Sequence, residues 1–251
     1  MSSPRDRSNR LGFSLAFFLG TVAVSGASET ARACGAATGG AAGISGCSLS
    51  EHDEEARLKW RVGAGYSFTS TGLHFGGGLR VDEIRDSAVV ALDYKPISRL
   101  TLEAGAGPFL GGSITTPGTR FALSPGFAGA LGASYRILDA DRAIPFVLLT
   151  GQISYVSSST SPGVGYNAFD LRLGVAVGTT LWRVLTPYVV GRAFGGPVYW
   201  RFQGTPLVGT DDNHWQVGGG LSLALGSRLD LFAEGVPLGE QGVSAGAGYS
   251  F

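Results

Sequence analysis

The chain has 251 residues, of which 44% are hydrophobic and only 15% charged, with 19 bases against 19 acids and 41 glycines. So little charge argues against an ordinary soluble domain, where about a quarter of residues is charged. A balanced formal charge and a pI of 6.8 argue against nucleic acid as a partner, and the glycines follow neither a collagen period nor a polar low-complexity pattern.

Arg5, Arg7 and Arg10 precede the apolar run Leu11–Val24, and Ala31-Arg32-Ala33 supplies an A-x-A cleavage site. Residues 1–33 therefore read as a secretory signal peptide. The apolar run is too short for a spanning helix, which needs about 20 residues. Residues 34–56 are Gly, Ala, Ser and charge, and read as a flexible periplasmic leader. Cleavage after Ala33 leaves Cys34 at the mature N-terminus. A lipid anchor there would have to tolerate Arg32, and the alternative is a disulfide with Cys47, the other cysteine of an exported chain.

Residues 57–251 read as one all-β domain. In Leu58–Phe68 one parity carries Leu58, Trp60, Val62, Ala64, Tyr66 and Phe68, and the other Lys59, Arg61, Gly63, Gly65 and Ser67. Period two over that length is a strand with one apolar and one polar face. The same alternation runs through Phe127–Ile137 and Phe169–Leu181. Further strands are expected at 87–95, 100–109, 143–157, 186–201, 214–225, 228–236 and 242–251, ten in all, or eight if 87–95 or 228–236 is not separate. Short connections ("KPISR", "DADR", "RVL", "GS") alternate with longer stretches at 70–86, 110–123, 158–167 and 202–213, then a shorter one at 237–241. That rhythm predicts an up-and-down antiparallel meander with tight turns at one end and long loops at the other.

The polar parity decides which solvent faces which side. It is mostly Gly, Ser and Ala, with scattered charges: Lys59, Arg61, Asp93, Lys95, Glu103, Arg136, Asp170, Arg172, Arg192, Asp230 and Glu234. Small residues with nearly balanced charge suit a crowded polar lumen, and the apolar parity, with aromatics near strand ends, suits lipid. The expected fold is a transmembrane up-and-down antiparallel β-barrel, closed because lipid leaves no partner for a free edge.

The terminal strand "VSAGAGYSF", with Val243, Ala245, Ala247, Tyr249 and Phe251 in alternation, resembles the last strand of bacterial outer-membrane β-barrel proteins. The resemblance implies location in the Gram-negative outer membrane, contact with its lipid and lipopolysaccharide, and Tyr249 and Phe251 as an assembly signal read by the barrel-assembly machinery. A structural, adhesive or narrow-pore role at the cell surface, without enzyme activity, is the leading expectation. Asp212 and His214 in "DDNH" are similar to the loop Asp-x-His pair of the omptin family of outer-membrane proteases, which also needs a second acidic pair; Asp82 and Glu83 are adjacent and do not reproduce its spacing. A surface hydrolase is therefore one alternative, and a soluble secreted barrel holding a lipophilic ligand is another. Phe194, Tyr199, Trp200 and Phe202 read as an aromatic girdle above the membrane or a ligand-binding cluster at the barrel mouth. No catalytic, cofactor or metal motif is found, and the oligomeric state is open.

Overall fold

The computed structural model describes residues 59–138, 145–160, 164–182, 184–202 and 204–251. The signal peptide, the leader and Cys34 and Cys47 lie outside them, as does the "DADR" turn. Thirteen strand segments follow one another: β1 Trp60–Phe75, β2 Leu79–Ile97, β3 Leu100–Thr116, β4 Thr119–Leu123, β5 Gly126–Leu138, β6 Phe146–Thr160, β7 Val164–Gly178, β8 Leu185–Gly195, β9 Val198–Phe202, β10 Thr205–Asp211, β11 Trp215–Leu225, β12 Leu229–Leu238 and β13 Gln241–Ser250. Among the described residues no helix is long and apolar enough to cross a membrane.

Pairing closes the sheet twice, at two heights. At the lower level the ring is β1, β2, β3, β5, β6, β7, β8, β11, β12 and β13, which returns to β1 through Arg61↔Ser250 to Ser70↔Gln241. All ten pairs are antiparallel. The β12–β13 hairpin ends at the level of Ser70, so two strands drop out above it. There β4 continues β5, β9 continues β8, and β10 continues β11 upward. β10 then reaches β1 directly through Leu73↔Asp211, His74↔Thr210 and Phe75↔Gly209. The upper ring is thus an eight-stranded crown of β1, β2, β3, β4, β6, β7, β9 and β10. The stretches 87–95 and 228–236 are both separate strands, within β2 and in β12, so the lower ring has the ten strands expected and the eight-strand alternative is not met.

The bends that join the two rings are held by backbone bonds where a plain ladder would fail. Phe169 N donates to Pro197 O (3.1 Å) across the β8–β9 bend, and Ser124 N to Ser159 O (2.8 Å) across the β4–β5 bend. Asp212 N donates to Gly72 O (2.8 Å) where β10 turns into β11. Proline, which has no N–H, sits at the first two bends, outside the ladders it would interrupt.

The stretches 70–86, 110–123, 158–167 and 202–213 correct the sequence reading: they are largely strand. The physical reason is an inversion of the pattern. On β1 the inward parity reads Arg61, Gly63, Gly65, Ser67, Thr69 and Thr71, then turns apolar at Leu73 and Phe75. The outward parity reads Trp60, Val62, Ala64, Tyr66 and Phe68, then turns polar at Ser70, Gly72 and His74. β7 does the same: Arg172 and Asp170 inward give way to Ala168 and Tyr166, while Leu173, Leu171 and Phe169 outward give way to Asn167 and Gly165. A strand face that meets lipid must be apolar, and above the lipid the same face meets water, so the apolar residues move to the interior. The span between is Trp60–Phe68 on β1 and Phe169–Val177 on β7, each matching the roughly 9–11 residues of a tilted crossing.

Aromatics mark both rims of that span. Tyr66, Phe127, Tyr155, Phe169, Tyr199 and Trp215 ring the upper one, with the rings of Tyr155 and Phe169 tilted against each other at 4.7 Å between centroids and Tyr66 donating to Asp86. Trp60, Tyr94, Tyr135, Tyr249 and Phe251 ring the lower one, with Trp60 stacked on Tyr94 at 4.4 Å. The lower end carries the tight turns and the C-terminus, and is the periplasmic end by the usual arrangement of such barrels.

Candidate functional site

The lumen is the only part of the described fold where charged side chains converge in a buried setting, and it is organised in tiers. Lowest is Arg61. Its Nε and Nη2 donate to the two oxygens of Asp230 at 3.0 and 2.8 Å, and its Nη1 to Asp93 at 2.9 Å. Asp93 is its neighbour on β2, but Asp230 lies two strands away, beyond β13. The guanidinium crosses β13 over Gly248, where any Cβ would collide with it. That explains why the inward position 248 of the terminal strand is glycine. We expect Gly248→Ala to cost about 1–3 kcal/mol, as overpacking does in a filled interior, measurable as an earlier urea midpoint of the detergent-folded barrel. Glu103 stands opposite Asp93 in the β2–β3 register.

In the middle tier Arg192 on β8 grips Glu234 on β12 with two bonds of 2.7 and 2.9 Å, and Tyr188 donates to the same carboxylate at 2.9 Å. Such a fork–fork pair is the strongest geometry available to these groups. Below the charges, Phe146, Leu148, Ala176, Tyr188 and Val190 form a small apolar cluster on β6, β7 and β8.

The third tier brings together residues that the sequence reading did not single out. Glu240, in the turn between β12 and β13, is fully buried and accepts from Arg85 (3.0 Å) and lies 2.7 Å from Arg172. The turn is driven inward: Gly239 has φ +86°, and a side chain there would strike the Trp215 carbonyl. Arg172 also pairs with Asp170, and Arg85 lies 3.5 Å from Glu83, which accepts from Tyr166. Thr71 donates to Asp211 at 3.3 Å. Asp211 belongs to β10 in the crown, above the membrane span. Burial raises its carboxyl from the ordinary value to about 7; Glu240 and Asp170 push the same way, and Arg85 and Arg172 oppose. A cavity of 30 Å³ adjoins Arg85 and Arg172.

Above these charges the crown is filled with hydrocarbon. Leu73, Phe75, Val81, Phe109, Ile114, Tyr166, Val198 and Trp200 pack as one buried core. Trp200 is 1% exposed and lies 4.8 Å from Phe202, 5.5 Å from Phe121 and 5.8 Å from Phe75 between centroids. This corrects the reading of the aromatic cluster. Phe194 and Trp200 are buried inward and Phe202 packs against that core, whereas Tyr199 alone of the four is on the outer face.

Of the charges expected in the lumen, Arg61, Asp93, Arg136, Asp170, Arg172, Arg192, Asp230 and Glu234 are buried, and Glu103 is half-buried. Lys59 is exposed and Lys95 half-exposed at the periplasmic rim, where Lys95 N donates to Lys59 O (2.9 Å). They carry the inward parity but stand below the level at which the barrel interior begins. Asp212 and His214 part company. Asp212 lies 3.9 Å from His74 on the outer face of β1, and the imidazole of His214 packs over Gly195 on β8. Glu83 is committed to Tyr166 and Arg85 inside. Among the described residues no group of three or more His, Cys, Asp or Glu could hold a metal ion.

No protein-family model matches the chain, and no curated protein matches it. Solved structures with a similar trace include the outer membrane protease OmpT from Escherichia coli, at 11% identity over 77% of this chain and 97% of that one, with a TM-score of 0.48. The translocator domain of the autotransporter NalP from Neisseria meningitidis aligns at 17% identity, covering 77% and 88%, TM-score 0.43. The outer membrane protein OprG from Pseudomonas aeruginosa aligns at 10%, covering 77% and 96%, TM-score 0.43. The identification of the fold stands on the chain's own geometry: ten closed antiparallel strands, an apolar outer band rimmed by aromatics and a charged interior make it an outer-membrane β-barrel protein.

Proposed function

We propose that the protein is a plugged barrel whose role is structural or adhesive at the cell surface, and not a diffusion pore or an enzyme. The observation that carries this reading is the apolar filling of the crown around Trp200, with paired charges directly beneath. Ten strands give an interior only slightly wider than the eight that side chains fill, and open aqueous channels belong to barrels of about 16. Here the mouth itself narrows to eight strands. Outer-leaflet lipid and lipopolysaccharide are the partners this exterior fits, and the terminal Tyr249 and Phe251, both on the outer face, suit recognition by the barrel-assembly machinery. The hydrolase alternative loses support because Asp212 and His214 point to different neighbours, so the Asp212–His214 pair on which that reading rests does not form.

The test is planar-bilayer conductance of the purified full chain. We expect no discrete steps at mildly acid pH. Stable porin-like openings would overturn the plugged reading, as would peptide hydrolysis that is lost in His214→Ala for the non-enzymatic part of it.

A further inference from the structure

The third tier of the lumen does not balance. Four carboxylates, Glu83, Asp170, Asp211 and Glu240, share two guanidiniums, Arg85 and Arg172. Three of the four are engaged by those arginines within 3.5 Å. Asp211 is the one held only by a neutral donor, Thr71 Oγ1. With all six ionised, a closed interior would hold two uncompensated negative charges, a cost that buried groups avoid by taking up protons. Asp211 also sits at the end of β10, whose seam with β1 is short. β10 meets β1 through three residue pairs, against sixteen between β1 and β2. Beneath it the β12–β13 turn stops short and sends Glu240 into this tier.

We propose that this cluster makes the extracellular mouth a proton-controlled closure, in which Asp211 gains and loses the proton and β10 is the segment that moves. With a proton on Asp211 the cluster carries one negative charge fewer, and the carboxyl can sit beside Glu240 and Asp170 while β10 stays docked on β1. When the proton leaves, a fourth carboxylate adds its charge to the cluster, and the nearest relief is for β10 to swing Asp211 into water. The charged and titratable groups facing it are Arg85 from β2, Asp170, Arg172 and Tyr166 from β7, and Glu240 from the turn, and Glu83 is bound to Arg85 and Tyr166 in the same cluster. His74 and Asp212 lie on the outer side of the same junction. Burial that raises the carboxyl favours its protonated form when docked. The docking so gained is complete below the ordinary carboxylate range and is lost as pH rises through about 7. The closed form belongs to mild acid and the loosened form to neutral and alkaline conditions. The inference goes beyond the plugged barrel, because it gives the plug a condition for release.

Hydrogen exchange of the full chain in detergent, read at β10 amides against β12 amides and corrected for the intrinsic rate, tests it. The expected result is an opening constant for β10 that rises up to about ten-fold per pH unit between about 5 and 7, one proton's worth, while β12 stays flat. Asp211→Asn should remain protected across the range, and His74→Gln should keep the wild-type slope. Glu240→Gln, which deletes a facing acid, should move the rise to lower pH. A flat wild-type profile, or a slope that survives in Asp211→Asn or disappears in His74→Gln, would overturn the proposal. If Asp211→Asn does not fold by heat-modifiable migration, the Glu240→Gln shift decides, and an unmoved midpoint overturns it.

Discussion

Arg61→Met is expected to destabilise the barrel by about 3–5 kcal/mol, the cost of leaving buried carboxylates without their cation. Asp93 and Asp230 accept hydrogen bonds of 3.0 Å or less from Arg61, and all three side chains are at most 2% exposed. Removing the guanidinium takes the cation away from two buried carboxylates. The pair itself contributes much less than this, since desolvating the three ions offsets most of their attraction. The triple variant Arg61→Met, Asp93→Leu, Asp230→Leu should therefore recover most of the loss. Lys59→Met, at the exposed rim two residues away, should stay within about 0.5 kcal/mol. Urea unfolding of the detergent-folded chain, followed by gel mobility, reads all three. A single variant that is no weaker than Lys59→Met would show that the lumen network does not hold the barrel.

The contrast between Arg61 and Lys59 also shows where sequence reading works and where it stops. Both sit on one parity of one strand, and parity is what a sequence displays. It placed Arg61, Asp93, Asp230, Arg192 and Glu234 on one side because lipid enforces alternation along every crossing segment. Height along the strand is set by register and tilt, which no local pattern encodes, so Lys59 and Lys95 carried the same parity without entering the interior. The crown was illegible for a related reason. Its strands obey alternation of the opposite sense, and where the sense flips, near Ser70 on β1 and Asn167 on β7, the two patterns cancel and the text looks like loop. Gly, Ser, Thr and Pro around the bends reinforced that impression. Glu240 had no periodicity to betray it, because it reaches the lumen from a turn whose geometry depends on Gly239. Glu83 and Arg85 share a parity with Ser87, but the surrounding "VDEIRDS" places acids on both faces, which hides the alternation.

If the inversion marks the edge of the lipid, the same substitution should have different costs on the two sides of it. Leu173 and Gly165 are outward positions on one strand, β7, and both are exposed. Leu173, 59% exposed, lies within the apolar band between Phe169 and Val177. Gly165 lies above Phe169 beside Asn167, and a side chain added there meets no atom within 4 Å. In water alone, arginine at either site would be nearly neutral. In the membrane, Leu173→Arg is expected to cost about 2–4 kcal/mol and Gly165→Arg no more than about 1, the depth dependence of charge on the lipid face of a barrel. The measurement is unfolding in lipid vesicles, because detergent monomers can rearrange around a single charge and blunt the difference. Equal costs at the two sites would move the lipid boundary above the crown and would leave its apolar interior unexplained. The expected inequality places the boundary at the upper aromatic rim, with the crown standing in water on strands continuous with those below.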